Sequence, residues 1–321
     1  MYMVVLLHNL GSGGLLDWTL CSTRSLAYLT IENYAIVAVN IFALISGYVA
    51  SGKLIKPTRL FDLWFTAFFW SSTMALVGLA KGATPGVWTV RAFFPLLGNV
   101  YWYLSAYIVL QLFVPILDAG TRRLGAGNTL LLSAVLIVLC SLVGFTNELG
   151  IGSGYSAFWL ILLWLMGRAI RMNHETIRNL ISTPRLLIAV AALPLCVSWL
   201  QSHDVATGSD PSRWLSYTGP TVVIQSLCAF ELMTRINLKN LRLQKALPLL
   251  SASAFGIYLA DTSGWFYSIW LNGRFSWVLN IPLRYGIPYI LCVSFLLFGT
   301  FLLLELLRRS LMDKLGALLS R

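Results

Sequence analysis

The chain has 321 residues, 58% of them hydrophobic and only 11% charged. An ordinary soluble domain carries about 25% charge and about 45–50% apolar residues, so a soluble globular protein is excluded. The net charge of +11 is concentrated in alternate loops, which argues against nucleic acid as a partner.

Apolar stretches of roughly 20 residues, separated by short charged or Gly/Pro breaks, read as helices crossing a bilayer. Backbone groups in hydrocarbon must be satisfied internally, and runs this long and unalternating suit helices rather than barrel strands. The prediction is an all-α, polytopic membrane protein. It has about ten transmembrane helices, at 1–16, 35–52, 60–80, 99–118, 126–146, 153–172, 186–201, 215–236, 247–271 and 282–307. A single membrane domain over 1–321 is the simplest organisation, because no remaining stretch is long enough for a soluble domain.

In chain order, the first span contains His8. An ionisable side chain inside a membrane segment is costly and rare, and is a functional-site candidate by default. The other two of the three histidines, His174 and His203, fall in predicted loops. Only some 16 residues precede Asp17, short of the roughly 20 needed to cross, and no basic leader marks a signal peptide. Either this helix tilts beside its neighbours in a thinned site or an upstream segment precedes it, and the upstream segment is the favoured expectation.

The stretch from Asp17 to Asn33 reads as a polar external loop. In the second span, Ser46 and Gly47 permit close approach of a neighbouring helix, and Lys53, Lys56 and Arg59 form a basic inner loop. The stretch KGATPGVWTVRAFFPLLGN is too broken to span. The fourth span opens with NVYWYLSAY, an aromatic girdle at the outer boundary. The loop QSHDVATGSDPSRWLSYTG is the most polar, with side chains that suit a carbohydrate and equally a solvated loop.

With the N-terminus inside, the even-numbered breaks and the tail hold 17 of the 23 basic residues. This is the asymmetry of cytoplasmic against external loops, and it places both termini in the cytoplasm of a multi-pass cell-membrane protein. The five cysteines are scattered, with no CxxC or Cys/His cluster, so neither a metal site nor a disulfide framework is predicted.

The segments VVLLH, VNIFALISGYVASGK, the basic run to TRLFDL, VYWYLSAYIVLQLFVPILD and FGIYLADTSGW, in this order, resemble the integral-membrane acyltransferase family 3. The resemblance spans nearly the whole chain. It implies a membrane enzyme that transfers acetyl or related acyl groups to a surface polysaccharide or its lipid-linked precursor. The implied donor is acyl-CoA, acetyl-CoA above all, with no resident cofactor.

Carried over by residue, His8 matches the histidine essential for transfer. Ser46, Gly47 and Tyr48 match the SGY motif, Arg59 a basic position opening the third span, and Trp102 with Tyr103 the WY pair. Two departures stand out. The family's arginine, about ten residues or three helical turns before the histidine, would precede Met1. Asp261 occupies the place where the family often has a second histidine.

The residues themselves support such chemistry. A base must take a hydroxyl proton, donors must hold the developing oxyanion, and cations must hold the donor's phosphates. Histidine suits the base role because its ordinary pKa of about 6.5 leaves much of it neutral near pH 7. No serine or cysteine stands in a nucleophile motif, which favours direct attack by the acceptor. A carboxylate at Asp261 wants a partner, His8 or Arg284, and could orient the base.

Each candidate also has a purely structural role open to it. His8 can link helices, Ser46 can bond its own backbone, and Gly47 can serve packing alone. Trp102 and Tyr103 can be interfacial anchors, and Arg59 can follow from topology. Glu231 and Glu305 read as simple ion pairs with nearby arginines. The competing function is a transporter or flippase for a glycan or small organic acid, with His8 and Asp261 as a proton relay. The absence of an inverted repeat weighs against it. A relative that has lost activity is the third reading.

Overall fold

The computed structural model describes residues 1–16, 23–50, 53–144 and 151–319. Its described residues are predominantly helical and include no strand. Each of the ten predicted stretches holds a helix. Six helical segments are long and apolar enough to cross a membrane: Ser25–Tyr48, Pro57–Ala80, Trp102–Leu124, Ala126–Val143, Thr183–Thr207 and Leu283–Lys314. The other stretches hold α1 (Tyr2–Leu10), α8 (Ala157–Met172), α11 (Pro220–Thr234) and α12 (Leu241–Asp261).

The chain forms two compact units. The first comprises Met1–Leu16, Phe61–Tyr101 and Asn237–Arg321, and the second Asp17–Leu60 and Trp102–Ile236. In the first unit, α1 packs on α12 and on α13 (Leu283–Leu319). Val4, Val5, Leu6, Leu7 and Leu10 of α1 are all buried there. Gly14, at φ +88°, then turns the chain in a conformation that favours glycine. Backbone bonds from Gly273 N to Ser12 O (2.9 Å) and from Phe275 N to Gly13 O (2.8 Å) tie this turn to the segment after α12.

In the second unit, α8 is central, with α3 (Val37–Tyr48), α6 (Trp102–Leu124) and α7 (Ala126–Gly144) packed around it. Its Trp159, Leu160, Leu163 and Trp164 are fully buried. The α3–α8 crossing is close enough that a Cβ on Gly47 would strike the Trp164 carbonyl oxygen, and one on Gly167 the Leu44 carbonyl oxygen. Such mutual small-residue contacts are how membrane helices approach closely. At the start of α8, Ser156 Oγ accepts from Trp159 N at 3.2 Å, an N-cap bond.

Several sequence expectations change. The predicted external loop from Asp17 to Asn33 is helical from Thr23 onward: α2 (Thr23–Ala35) leads almost directly into α3. Residues 17–22 lie outside the described residues. The misreading has a physical cause, since α2 buries polar groups that look solvated in sequence. Asn33 Nδ2 donates to Gln201 Oε1 (2.8 Å) and Ser198 Oγ (3.0 Å), and Gln225 Nε2 donates to Asn33 O (3.1 Å).

His174 and His203 are not in loops: His174 opens α9 (His174–Leu180) and His203 lies within α10 (Thr183–Thr207). The broken stretch after the third span contains a short helix, α5 (Val87–Phe93). The ninth stretch does not run as one helix to residue 271. It ends at Asp261 and is followed by a π-helical turn, Phe266–Trp270.

Candidate functional site

In the first unit, α1 carries His8 in its last turn and α12 ends on Asp261. His8 Nδ1 lies 2.5 Å from Asp261 Oδ2. The partner of Asp261 is therefore His8; Arg284 instead places its guanidinium over the Tyr285 ring, 4.9 Å from the centroid. A carboxylate at a helix C-terminus faces the negative end of the helix dipole. Asp261 is also fully buried, and its Oδ1 has no hydrogen-bond partner among the described residues. One hydrogen bond to an imidazole is a thin compensation for burying that group.

An ionised carboxylate only accepts, so this contact calls for a proton on Nδ1, and in the neutral ring Nε2 then carries the lone pair. The His8 side chain is 20% exposed whereas Asp261 is at 0%. The pair thus has a sealed side, facing the carboxylate, and a reachable side. Tyr267, in the π-helical turn, packs edge-on against the His8 ring with centroids 5.0 Å apart and planes at 83°. Asn9, the next residue along α1, is fully buried and donates from Nδ2 to Ser294 Oγ at 2.8 Å.

The first unit also holds a contrasting carboxylate. Glu305 on α13 accepts from Arg308 Nε and Nη2 (2.8 and 2.7 Å) and from Trp70 Nε1 (2.8 Å). It is more than the simple ion pair read from sequence, because α4 (Pro57–Ala80) supplies the third donor. Glu231, in the second unit, is paired by Arg235 Nε at 2.9 Å as expected.

The remaining candidates belong to the second unit. Ser46 Oγ donates to Phe42 O of its own helix at 3.0 Å. Ser46 and Arg59 both lie near the Tyr107 hydroxyl. Arg59 itself is exposed in the first turn of α4. Tyr48 stacks edge-on with Phe230 (5.6 Å) and lies under the Arg171 guanidinium (5.4 Å), while Arg171 Nη1 donates to Tyr48 O at 3.2 Å. Trp102 sits against Tyr155 (4.7 Å), Tyr103 (5.4 Å) and Tyr217 (6.3 Å).

Sequence reasoning passed over Tyr107, Tyr267 and Asp118. Asp118, fully buried on α6, is flanked by Arg168 and Arg122, each at 2.8 Å. Asp118 and Arg122 share the i,i+4 spacing that could have signalled one of these pairs. Nothing local announces Arg168 or the π-helical turn.

Compared with known proteins, the chain matches the family model described as an acyltransferase domain, of the acyltransferase 3 type, over residues 1–309. The matched region includes every candidate residue above. No curated protein and no solved structure matches the chain.

Proposed function

The chain belongs to the acyltransferase 3 family and is a multi-pass membrane acyltransferase; from that premise we propose that it is an O-acyltransferase with the His8–Asp261 pair as its general base. The acyl group, acetyl in the leading reading, comes from acyl-CoA. The acceptor is a hydroxyl of a cell-surface polysaccharide or its lipid-linked precursor. The enzyme resides in the cell membrane with both termini cytoplasmic, in keeping with the excess of Lys and Arg in alternate loops.

The observation that carries this reading is the 2.5 Å contact from His8 Nδ1 to Asp261 Oδ2. With Nδ1–H donated to the carboxylate, Nε2 takes the proton of the attacking hydroxyl. The hydroxyl oxygen bonds to the thioester carbonyl carbon, and the negative charge passes to the carbonyl oxygen. As that intermediate collapses, the C–S bond breaks, and the imidazolium returns its proton to the departing coenzyme A thiolate. Asp261 stabilises the imidazolium while it exists and holds the ring in the required tautomer, the role of the carboxylate in hydrolase triads.

The remaining residues take binding roles. Arg59, with Lys53 and Lys56, attracts the phosphates of the donor. Ser46 and Tyr48 are assigned to donor binding. The faces of Trp102 and Tyr103 meet the apolar face of a sugar. The donor is a co-substrate, and the reaction draws on no other cofactor.

The test is mass spectrometry of surface glycan from cells carrying the intact protein, a deletion, or His8→Ala. An acyl mass present only with the intact protein, and lost in a well-expressed His8→Ala, is expected. Unchanged acylation across all three would overturn the surface-glycan reading.

A further inference from the structure

The base pair has a third neighbour to which neither the family match nor the chemistry above assigns a role. Tyr267 lies in the π-helical turn Phe266–Trp270, closed by the Leu271 N to Phe266 O bond of 2.8 Å. Such turns add one residue to the helical repeat and are frequent at functional sites. Here the turn follows the end of α12 at Asp261 and swings the Tyr267 ring onto His8, at 5.0 Å and 83°.

The turn is itself fixed to α1's end of the structure. Ser12 Oγ donates to Tyr267 O at 3.0 Å, Gly273 N to Ser12 O at 2.9 Å, and Phe275 N to Gly13 O at 2.8 Å. Gly13 is pressed so close that an added Cβ would stand 2.8 Å from Phe275 Cδ2. The aromatic ring and the imidazole thus ride on segments laced together by backbone bonds. Asp261 restrains only one edge of the imidazole. Without a second contact, the ring could turn about χ2, a broad torsion for histidine, and exchange which nitrogen meets the carboxylate.

We propose that Tyr267 is a positioning residue for the reaction: its ring blocks rotation of the His8 imidazole, so that Nδ1 stays on Asp261 and Nε2 stays on the reachable side. The inference rests on His8 being the base, and its test separates the two. The chain has three histidines, so the double variant His174→Gln/His203→Gln leaves His8 as the only imidazole. Nitrogen NMR of that full-length protein in micelles, with labelled histidine, then reads the tautomer directly, without any transfer assay.

The expected result is one imidazole species, protonated on Nδ1, in the parent and in Tyr267→Phe, which keeps the edge-on ring. Tyr267→Leu gives a mixture of tautomers and a kcat for transfer lower by roughly ten- to a hundredfold, the usual cost of a misplaced catalytic group. The donor KM stays unchanged. Ser12→Ala, a milder change that removes the tie to Tyr267 O, shifts both readouts in the same direction by less, and carries the test if Tyr267→Leu does not fold. A single unchanged tautomer and unchanged kcat in these variants overturns the proposal. A tautomer shift that leaves transfer untouched also overturns it for catalysis, and takes the His8 reading with it.

Discussion

Two buried carboxylates of the first unit invite comparison: Asp261 at the end of α12, and Glu305 of α13 packed against that helix. At the end of the helix, Asp261 meets a single imidazole and leaves Oδ1 without a partner. Little more than one turn earlier, Gly256 opens space for Glu305, and a Cβ there would strike the Glu305 carboxyl. Glu305 receives three donors, two from Arg308 and one from the Trp70 indole. A fully satisfied carboxylate fixes the packing of α4 and α13 at one geometry. A half-satisfied one, spent on orienting a reachable histidine, is a poor device for stability and a good one for chemistry. Asp204 in the second unit is of the first kind, held by Arg213 Nε and Nη2 and by Trp214 Nε1.

The contrast can be broken at several points. His8→Ala should lower transfer per folded molecule by about 10²–10⁴-fold, the range ascribed to a general base, and should also lower the melting temperature, because Asp261 loses its hydrogen-bond partner. Radiolabelled transfer by the purified protein beside a thermal melt measures both. Glu305→Gln should act on stability alone. It leaves Arg308 buried beside a neutral amide and should cost about 3–5 kcal/mol of stability, while activity per folded molecule persists at low temperature.

Gly47→Ala probes the α3–α8 crossing, where the new methyl meets the Trp164 carbonyl. A cost of about 1–3 kcal/mol is expected, visible as a lower melting temperature. The smallest effect belongs to Arg59→Ala. Losing one exposed charge-assisted contact should raise the donor KM by about tenfold with kcat unchanged, in a steady-state titration of acyl-CoA. A fall in kcat alone would remove Arg59 from the donor site.

How much of this was legible in the sequence depended on whether the cause was local. Helix placement was legible because long apolar runs leave few alternatives, and His8 stood out because an imidazole in such a run is rare. Asp261 stood out for the same reason. Ser46 bonding Phe42 O repeats the i−4 habit of helical serines, and Gly47 as a packing residue follows from its size.

The α2 helix was missed because Glu32 and Asn33 look like loop residues until α10 and α11 surround Asn33 with acceptors and donors. The Trp70–Glu305 bond joins residues 235 apart, which no local pattern encodes. The π-helical turn depends on how α1 and the segment after α12 are laced together, so Tyr267 came to light only in three dimensions. The aromatic run at Trp102 predicted a girdle, yet its packing on Tyr155 and Tyr217 depends on residues far along the chain.

The most direct measurement of the central claim is Asp261→Asn, followed for transfer rate and thermal melting in the same preparation. An amide at this position can donate to Nδ1, favouring the wrong tautomer of His8, and it removes a buried charge that little else satisfies. The account predicts a loss of transfer of a hundredfold or more, on the order seen when a triad carboxylate is neutralised, with a melting temperature equal to or above that of the parent. Transfer at the parental rate, or a collapse of the fold with activity intact in the molecules that remain, would contradict it.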